Sequence, residues 1–194
     1  MLFRSEEFQN ADSPGAYYSA NIRQQYERQY GLARAERYDA PFPLECSVDA
    51  LCAFNEECED VVIRAIDQST TSIFVAAYAF TRTRIAAALV RAKERGVHVE
   101  MKMDVNQAKH PGAQRILKLF KEHGIPCTLI HTAGEFSAMH NKFMVFDLRW
   151  VVTGSYNFTT QAQVSNWENL VFLDSPPLAD YYRQAYLAIT SDDP

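Results

Sequence analysis

The chain has 194 residues, of which 47% are hydrophobic and 22% charged, with a formal net charge of −5. That length predicts one domain with a core large enough to be stable alone, and the composition excludes a disordered or fibrous chain. No run approaches the ~18 apolar residues of a membrane span, and the start, MLFRSEEFQN, lacks the apolar stretch of a secretory leader, so no membrane anchor and a cytoplasmic location are expected.

Residues 1–40 differ in character from the rest of the chain. Ser13-Pro14-Gly15 breaks regular structure, and residues 17–37 are polar and rich in Tyr and Arg, with Gly31 weakening a helix. This segment reads as a solvated helix or extension, or as an arm that covers a dimer or docks a protein partner. Pro41-Phe42-Pro43 marks the start of a folded domain spanning 41–194. Within it, Leu44–Val48 reads as a strand and Asn55–Asp67 as a helix carrying Val61, Val62, Ala65 and Ile66. Ile73–Tyr78 is a buried strand, and Thr83–Arg95 a helix stopped by Gly96. Val97–Met103 alternates as a strand does, Asn106–Gly112 is a loop, and Ala113–His123 is a helix. Cys127–Ile130, Leu170–Leu173 and Pro177–Ile189 complete the series as strand, strand and helix. Alternating strands and helices predict a layered α/β/α sandwich around a mixed, mostly parallel sheet.

Cys46, Cys52 and Cys58 are six apart, but no C-x2-C pair or nearby His accompanies them. They are read as packing residues, Cys46 near a strand and Cys52 and Cys58 near a helix face, and no metal or other cofactor is expected. Lys102, Lys109, His110, Arg115, Lys118 and Lys121 form a basic run that is either a solvated face or a phosphate-backbone contact.

The densest chemistry lies between positions 140 and 157. His140, Lys142, Asp147, Gly154, Ser155 and Asn157 read H-x-K-x4-D-x6-G-S-x-N. Lys142–Phe146 and Trp150–Thr153 are apolar runs flanking a turn, a strand–turn–strand unit. Alternation along the first strand points His140 and Lys142 the same way. Lys142 is a compact cation suited to non-bridging phosphate oxygens. Ser155 and Asn157 are neutral donors for charge that develops in a transition state. Gly154 permits close backbone approach. His140 is the group able to act as nucleophile or proton carrier near neutral pH. Asp147, in the turn, is read as structural.

These six residues resemble the signature of the phospholipase D superfamily, and Asn166-Trp167-Glu168 resembles the N-x-E element that follows it in nuclease members. The resemblance covers roughly Leu44 to Ile189 and points to the small, single-signature branch that includes bacterial Nuc-type endonucleases and Zucchini-like mitochondrial enzymes. It implies a bacterial origin and metal-independent hydrolysis through a phosphohistidine on His140. It further implies phosphate held by Lys142, Ser155 and Asn157, and a Glu168 that hydrogen-bonds and orients a His140. One histidine cannot both attack phosphorus and protonate the leaving oxygen. None of His98, His110, His123 and His131 begins a second H-x-K. A homodimer with two His140 side chains around one phosphate is therefore expected. The expected substrate is DNA or RNA, with single strands favoured by a narrow groove. Glu135 in the preceding loop would repel a phosphate backbone. A phospholipase or cardiolipin hydrolase is the alternative, for which Phe136 and Met139 would supply an apolar rim. The third reading is an inactive nucleic-acid-binding or scaffold protein.

Overall fold

The computed structural model describes residues 48–134 and 136–192. The expected arm at 1–40, residues 41–47 and Glu135 lie outside the described residues, as does most of the strand expected at Leu44–Val48. Among the described residues the strands are β1 (Asp49–Phe54), β2 (Ser72–Ala77), β3 (His98–Asp104), β4 (Cys127–Ile130), β5 (Lys142–Phe146), β6 (Trp150–Gly154) and β7 (Asn169–Asp174). The helices are α1 (Glu57–Gln68), α2 (Thr83–Glu94), α3 (Val105–Ala108), α4 (Pro111–Glu122), α5 (Thr160–Val164) and α6 (Pro176–Ala188).

The strands form one sheet in the order β1-β7-β6-β5-β2-β3-β4. It is the expected mixed sheet flanked by helices, with its proportions corrected in one respect. β2 pairs in parallel with β3, and β3 with β4, while the other four pairings are antiparallel. The cause is that the two reversed strands, β5 and β7, lie inside the sheet, so each is antiparallel to both neighbours.

Strand alternation sends successive residues of each central strand to different layers. Ile73, Val75, Val99, Met144 and Val152 face a core closed by Val62 and Ile66 of α1, Ile85 and Leu89 of α2, and Ile116 and Phe120 of α4. Phe74, Ala76, Phe143, Val145 and Val151 face α6 through Ala179 and Tyr186. Each large side chain buried this way contributes about 1.5–3 kcal/mol.

The β5–β6 hairpin turns on Asp147 (φ 52°) and Leu148 (φ 51°), closed by Arg149 N–H donating to Phe146 O at 2.9 Å. Two successive left-handed residues match the right-handed twist of a tight hairpin. Asp147 holds the turn against the start of β2. Its carboxylate accepts from the N–H groups of Thr70, Thr71 and Ser72 at 2.9, 2.8 and 2.9 Å, and from the hydroxyls of Thr70 and Thr71 at 3.2 and 2.9 Å. Burial pushes the Asp147 carboxyl up, but the N–H groups of Ser72, Thr71 and Thr70 outweigh it and leave it below its ordinary value. The length of β5 separates Asp147 from that strand's opposite end by about 16 Å.

Candidate active site

At that opposite end, β2, β3 and β6 finish while β5 and β7 begin: Ala77 pairs with Lys142, and Gly154 with Leu170. His140 precedes β5 and Lys142 opens it. Their shared side brings Lys142 Nζ to 3.2 Å from His140 Nδ1 and 3.3 Å from Nε2, and Nζ donates to His140 O at 3.0 Å. The nearly equal distances set the ammonium against the imidazole rather than along one lone pair. Tyr78, following β2, packs against His140 with ring centroids 4.4 Å apart and ring planes tilted by 54°, and Lys142 Nζ lies 5.0 Å from the Tyr78 centroid. Gln107 Nε2 donates to the Tyr78 hydroxyl at 2.9 Å, so the 106–112 segment reaches this rim; its first part is helix α3 rather than the expected loop.

Burial first, and then the Lys142 charge, lower the His140 pKa below its ordinary value, with Asp104 pulling the other way. Neutral imidazole, the form with a lone pair to donate, is thereby favoured near neutral pH. Burial likewise lowers the Lys142 pKa, opposed by the Glu168 charge.

The second group comes from β6 and β7. A Cβ on Gly154 would lie 2.3 Å from Asn169 O and 2.9 Å from Leu170 Cα, so only glycine fits. This close approach lets Ser155 N–H donate to Asn169 O at 3.1 Å. Ser155 Oγ donates to Glu168 Oε2 at 2.5 Å and accepts from Asn169 N–H at 3.0 Å. Glu168 is 8% exposed, and its other oxygen accepts from Asn166 Nδ2 at 2.9 Å. Glu168 N–H donates to Asn55 Oδ1 at 3.0 Å, and Asn55 N–H donates to Glu168 O at 3.0 Å. Asn55 adopts φ 51°, which asparagine tolerates better than most residues. Asn157 Oδ1 is buried with no hydrogen-bond partner among the described residues.

The structure thus brings His140 and Lys142 into contact and ties Ser155 to Glu168, with Asn157 following in the same loop. It sets Asp147 and its turn apart. Glu168 was expected to orient His140, but within the chain its carboxylate is committed to Ser155 and Asn166. The sheet order explains this: β6 lies between β7 and β5, two strand spacings or about 10 Å. Asp104, buried at the end of β3, opposes the lowering of the His140 pKa through its charge, and its Oδ2 accepts from the N–H of Met139, the residue before His140, at 3.2 Å. Its Oδ1 caps α3 by accepting from Asn106 and Gln107 N–H. Neither Asp104 nor Tyr78 was singled out from the sequence. The cue for Asp104 was an Asp at a strand end followed by Asn at two residues' distance, a helix N-cap pattern.

The basic run does not form one surface. Lys102 Nζ donates to the carbonyls of Tyr186 at 2.9 Å and Ile189 at 2.8 Å, capping the end of α6. His110 Nδ1 accepts from Gly112 N–H and caps α4. Lys109 binds the Asn106 side chain, and Lys118 pairs with Glu122. Cys52 lies on exposed β1 rather than near a helix face, and Cys58 is buried on α1; with Cys127 they are free thiols. Among the described residues no group of three or more His, Cys, Asp or Glu is placed to hold a metal ion, and no helix is long and apolar enough to cross a membrane.

The family described as cardiolipin synthase, PLD-like domain, matches residues 62–189. The chain belongs to the phospholipase D superfamily. A solved phospholipase D family member, Nuc from Salmonella typhimurium, is 31% identical with a TM-score of 0.69, covering 74% of this chain and 94% of that one. A phospholipase D from Rickettsia bellii is 32% identical over 133 residues, 68% of this chain and 63% of the relative. A mitochondrial cardiolipin hydrolase from Chlamydomonas reinhardtii is 28% identical over 121 residues, 62% of this chain and 52% of that protein. The chain therefore matches less than two thirds of the length of these two relatives. In this phospholipase D superfamily member the matched region contains both groups described above, while Asn55, which clamps Glu168, lies just ahead of it.

Proposed function

We propose that the protein is a phosphodiesterase that hydrolyses DNA or RNA, single strands in preference, without a metal, in a homodimer that completes the active site. The observation that carries this reading is the contact of the Lys142 ammonium with the His140 imidazole, which puts a nucleophile and a phosphate-holding cation in one place.

In the proposed reaction a ring nitrogen of neutral His140 attacks phosphorus. The P–N bond forms as the P–O bond to the leaving group breaks, and the leaving oxygen takes a proton from protonated His140 of a second copy. That second imidazole, now neutral, takes a proton from water as the water attacks phosphorus. The P–N bond breaks and the first histidine is regenerated. Lys142 stabilises the charge on the non-bridging oxygens throughout, and Ser155 adds its one hydroxyl proton by turning it from Glu168 to the phosphate. The orphaned amide of Asn157 joins them, since turning it over presents Nδ2 as a donor. Glu168 acts through Ser155, whose hydroxyl it holds until phosphate binds, and through its charge on Lys142. Asp147 and Gly154 serve by holding the hairpin and the β6–β7 approach.

The nucleic-acid substrate is supported by the likeness to Nuc over nearly all of Nuc's length and by the resemblance to Nuc-type endonucleases in the N-x-E element. A cardiolipin-hydrolase reading is favoured by one observation, the near-complete exposure of Phe136 in the loop before His140. Incubating the protein in excess EDTA with plasmid, single-stranded DNA, RNA and cardiolipin vesicles separates the two. The expected result is cleavage of nucleic acid, fastest for single strands, and none by His140→Ala, which keeps the native circular-dichroism spectrum. A requirement for metal, unchanged activity in that variant, or cardiolipin as the sole substrate refutes the proposal.

A further inference from the structure

We propose that Trp167 is a stacking platform for a nucleobase next to the scissile phosphate. This rests on the nuclease reading above. Trp167 is 91% exposed and Phe136 94% exposed, whereas Tyr156, Phe158 and Phe80 near the same loops are buried. Tryptophan is on average a highly buried residue, so one left open on the rim of a site is notable.

Trp167 is not on a slack loop. The next residue, Glu168, is clamped to Asn55 by two hydrogen bonds of 3.0 Å, and the preceding residue, Asn166, donates to the Glu168 carboxylate at 2.9 Å. Both neighbours are tied down while the indole faces solvent, which presents a rigid aromatic surface at low conformational cost. Its Cα is about 3.8 Å from that of Glu168, whose carboxylate holds Ser155. Trp167 therefore emerges where β6 finishes and β7 begins, next in sequence to the residue that anchors the Ser155 arm of the site.

The surroundings favour a base over a bilayer. Met139, which with Phe136 would have made an apolar rim, is 4% exposed, and its N–H is bonded to Asp104. Asn166, Glu168 and Asn169 flank Trp167, and membrane-contacting segments instead combine an apolar face with Lys and Arg. The chain is acidic, and Lys102 of the basic run is taken up in capping α6, away from the layer that contains α4, so the run is not one continuous track. Base stacking is uncharged and tolerant of sequence, so it supplies affinity that a basic track here does not.

The test uses the His140→Ala protein, so that binding is read without turnover. Of the two tryptophans, Trp150 is half-buried against Phe172 at 6.1 Å. Quenching of exposed-tryptophan fluorescence by a single-stranded decanucleotide therefore reports Trp167. The expected results are quenching by the oligonucleotide but not by an abasic strand of equal length. Trp167→Ala should weaken binding of the base-bearing strand by about 5- to 100-fold while leaving the abasic strand's affinity as it was, and Trp167→Phe should recover most of the loss. Equal weakening of both strands, or of neither, overturns the stacking role. So does a changed sedimentation coefficient in Trp167→Ala, which makes the residue a contact between copies, or a blue shift with cardiolipin vesicles and none with oligonucleotide. Cleavage of nucleic acid by the native protein is measured alongside. If it is absent, the nuclease reading fails; if it is present and the binding results fail, only the stacking proposal does.

Discussion

Replacing Asp147 by Asn tests whether the third residue of the phospholipase D signature serves the fold rather than the chemistry. The carboxylate accepts five hydrogen bonds, three from backbone N–H groups and two from hydroxyls. A hydrogen bond to a charged group contributes about 1.5–3 kcal/mol net. Only the bond from Ser72 is partly buried; the amide oxygen of Asn still accepts it, so losing the charge costs about 1 kcal/mol there. Thr70 and Thr71 are exposed and recover water when released, so their four bonds together add about 1 kcal/mol. The side chain of Asn tolerates the left-handed backbone, so no further strain is charged to the variant. The expected loss is about 2 kcal/mol, or roughly 4–8 °C in Tm for a domain of this size. Thermal unfolding followed by circular dichroism reads the shift, and kcat measured well below both transitions should stay close to native. The pH dependence gives a second check. A carboxyl whose folded pKa is depressed stabilises above its unfolded pKa, and that contribution disappears as pH falls through the folded value. The gap in Tm between native and Asp147→Asn should therefore close in acid. An unchanged Tm at pH 7, or a lost kcat with unchanged Tm, refutes the structural role.

Glu168→Gln removes the charge that holds the Lys142 pKa up, so Lys142 should lose its proton at lower pH. The alkaline limb of the pH–rate profile should move to lower pH, and an unmoved limb separates Glu168 from Lys142. Gly154→Ala forces a Cβ into the β7 backbone, and overpacking of this kind costs about 1–3 kcal/mol; denaturant unfolding should show that loss together with reduced activity, because the Ser155–Asn169 contact is displaced. Lys102→Met uncaps α6 and should cost about 1 kcal/mol of stability. It should leave the salt dependence of oligonucleotide binding unchanged, whereas a phosphate-contacting lysine would lower the slope by about one.

The parts of the fold legible in the sequence are those set by local periodicity and turn chemistry. The β5–β6 hairpin, β2, β4, and helices α2 and α4 fall within a residue or two of their expected places. The contact of Lys142 with His140 was legible because their spacing is itself local. β1 was missed because its sequence, DALCAF, does not alternate, and five of its six residues are exposed; its place is set by pairing with β7, over a hundred residues away. Helices α3 and α5, of four and five residues, are too short to carry a periodic signal, and their caps at Asp104 and Thr159 are the only local cue. The dispersal of the basic run was hidden for a related reason. Alternation sends Lys102 to the α6 side of the sheet, opposite the layer that contains α4.

The clamp between Asn55 and Glu168 joins residues 113 positions apart. Among the described residues β1 pairs only with the last strand of the sheet in chain order. Contacts this distant in sequence close late and slowly during folding. A chain still emerging from the ribosome can build the β2–β3–β4 half while β1 waits with its backbone N–H and C=O groups unpaired, an interval in which an open strand invites aggregation. The Ser155–Glu168 arm of the site exists only once β7 has paired on both edges. The proposed activity therefore depends on the pairing of β7 and cannot arise from the β2–β3–β4 half alone.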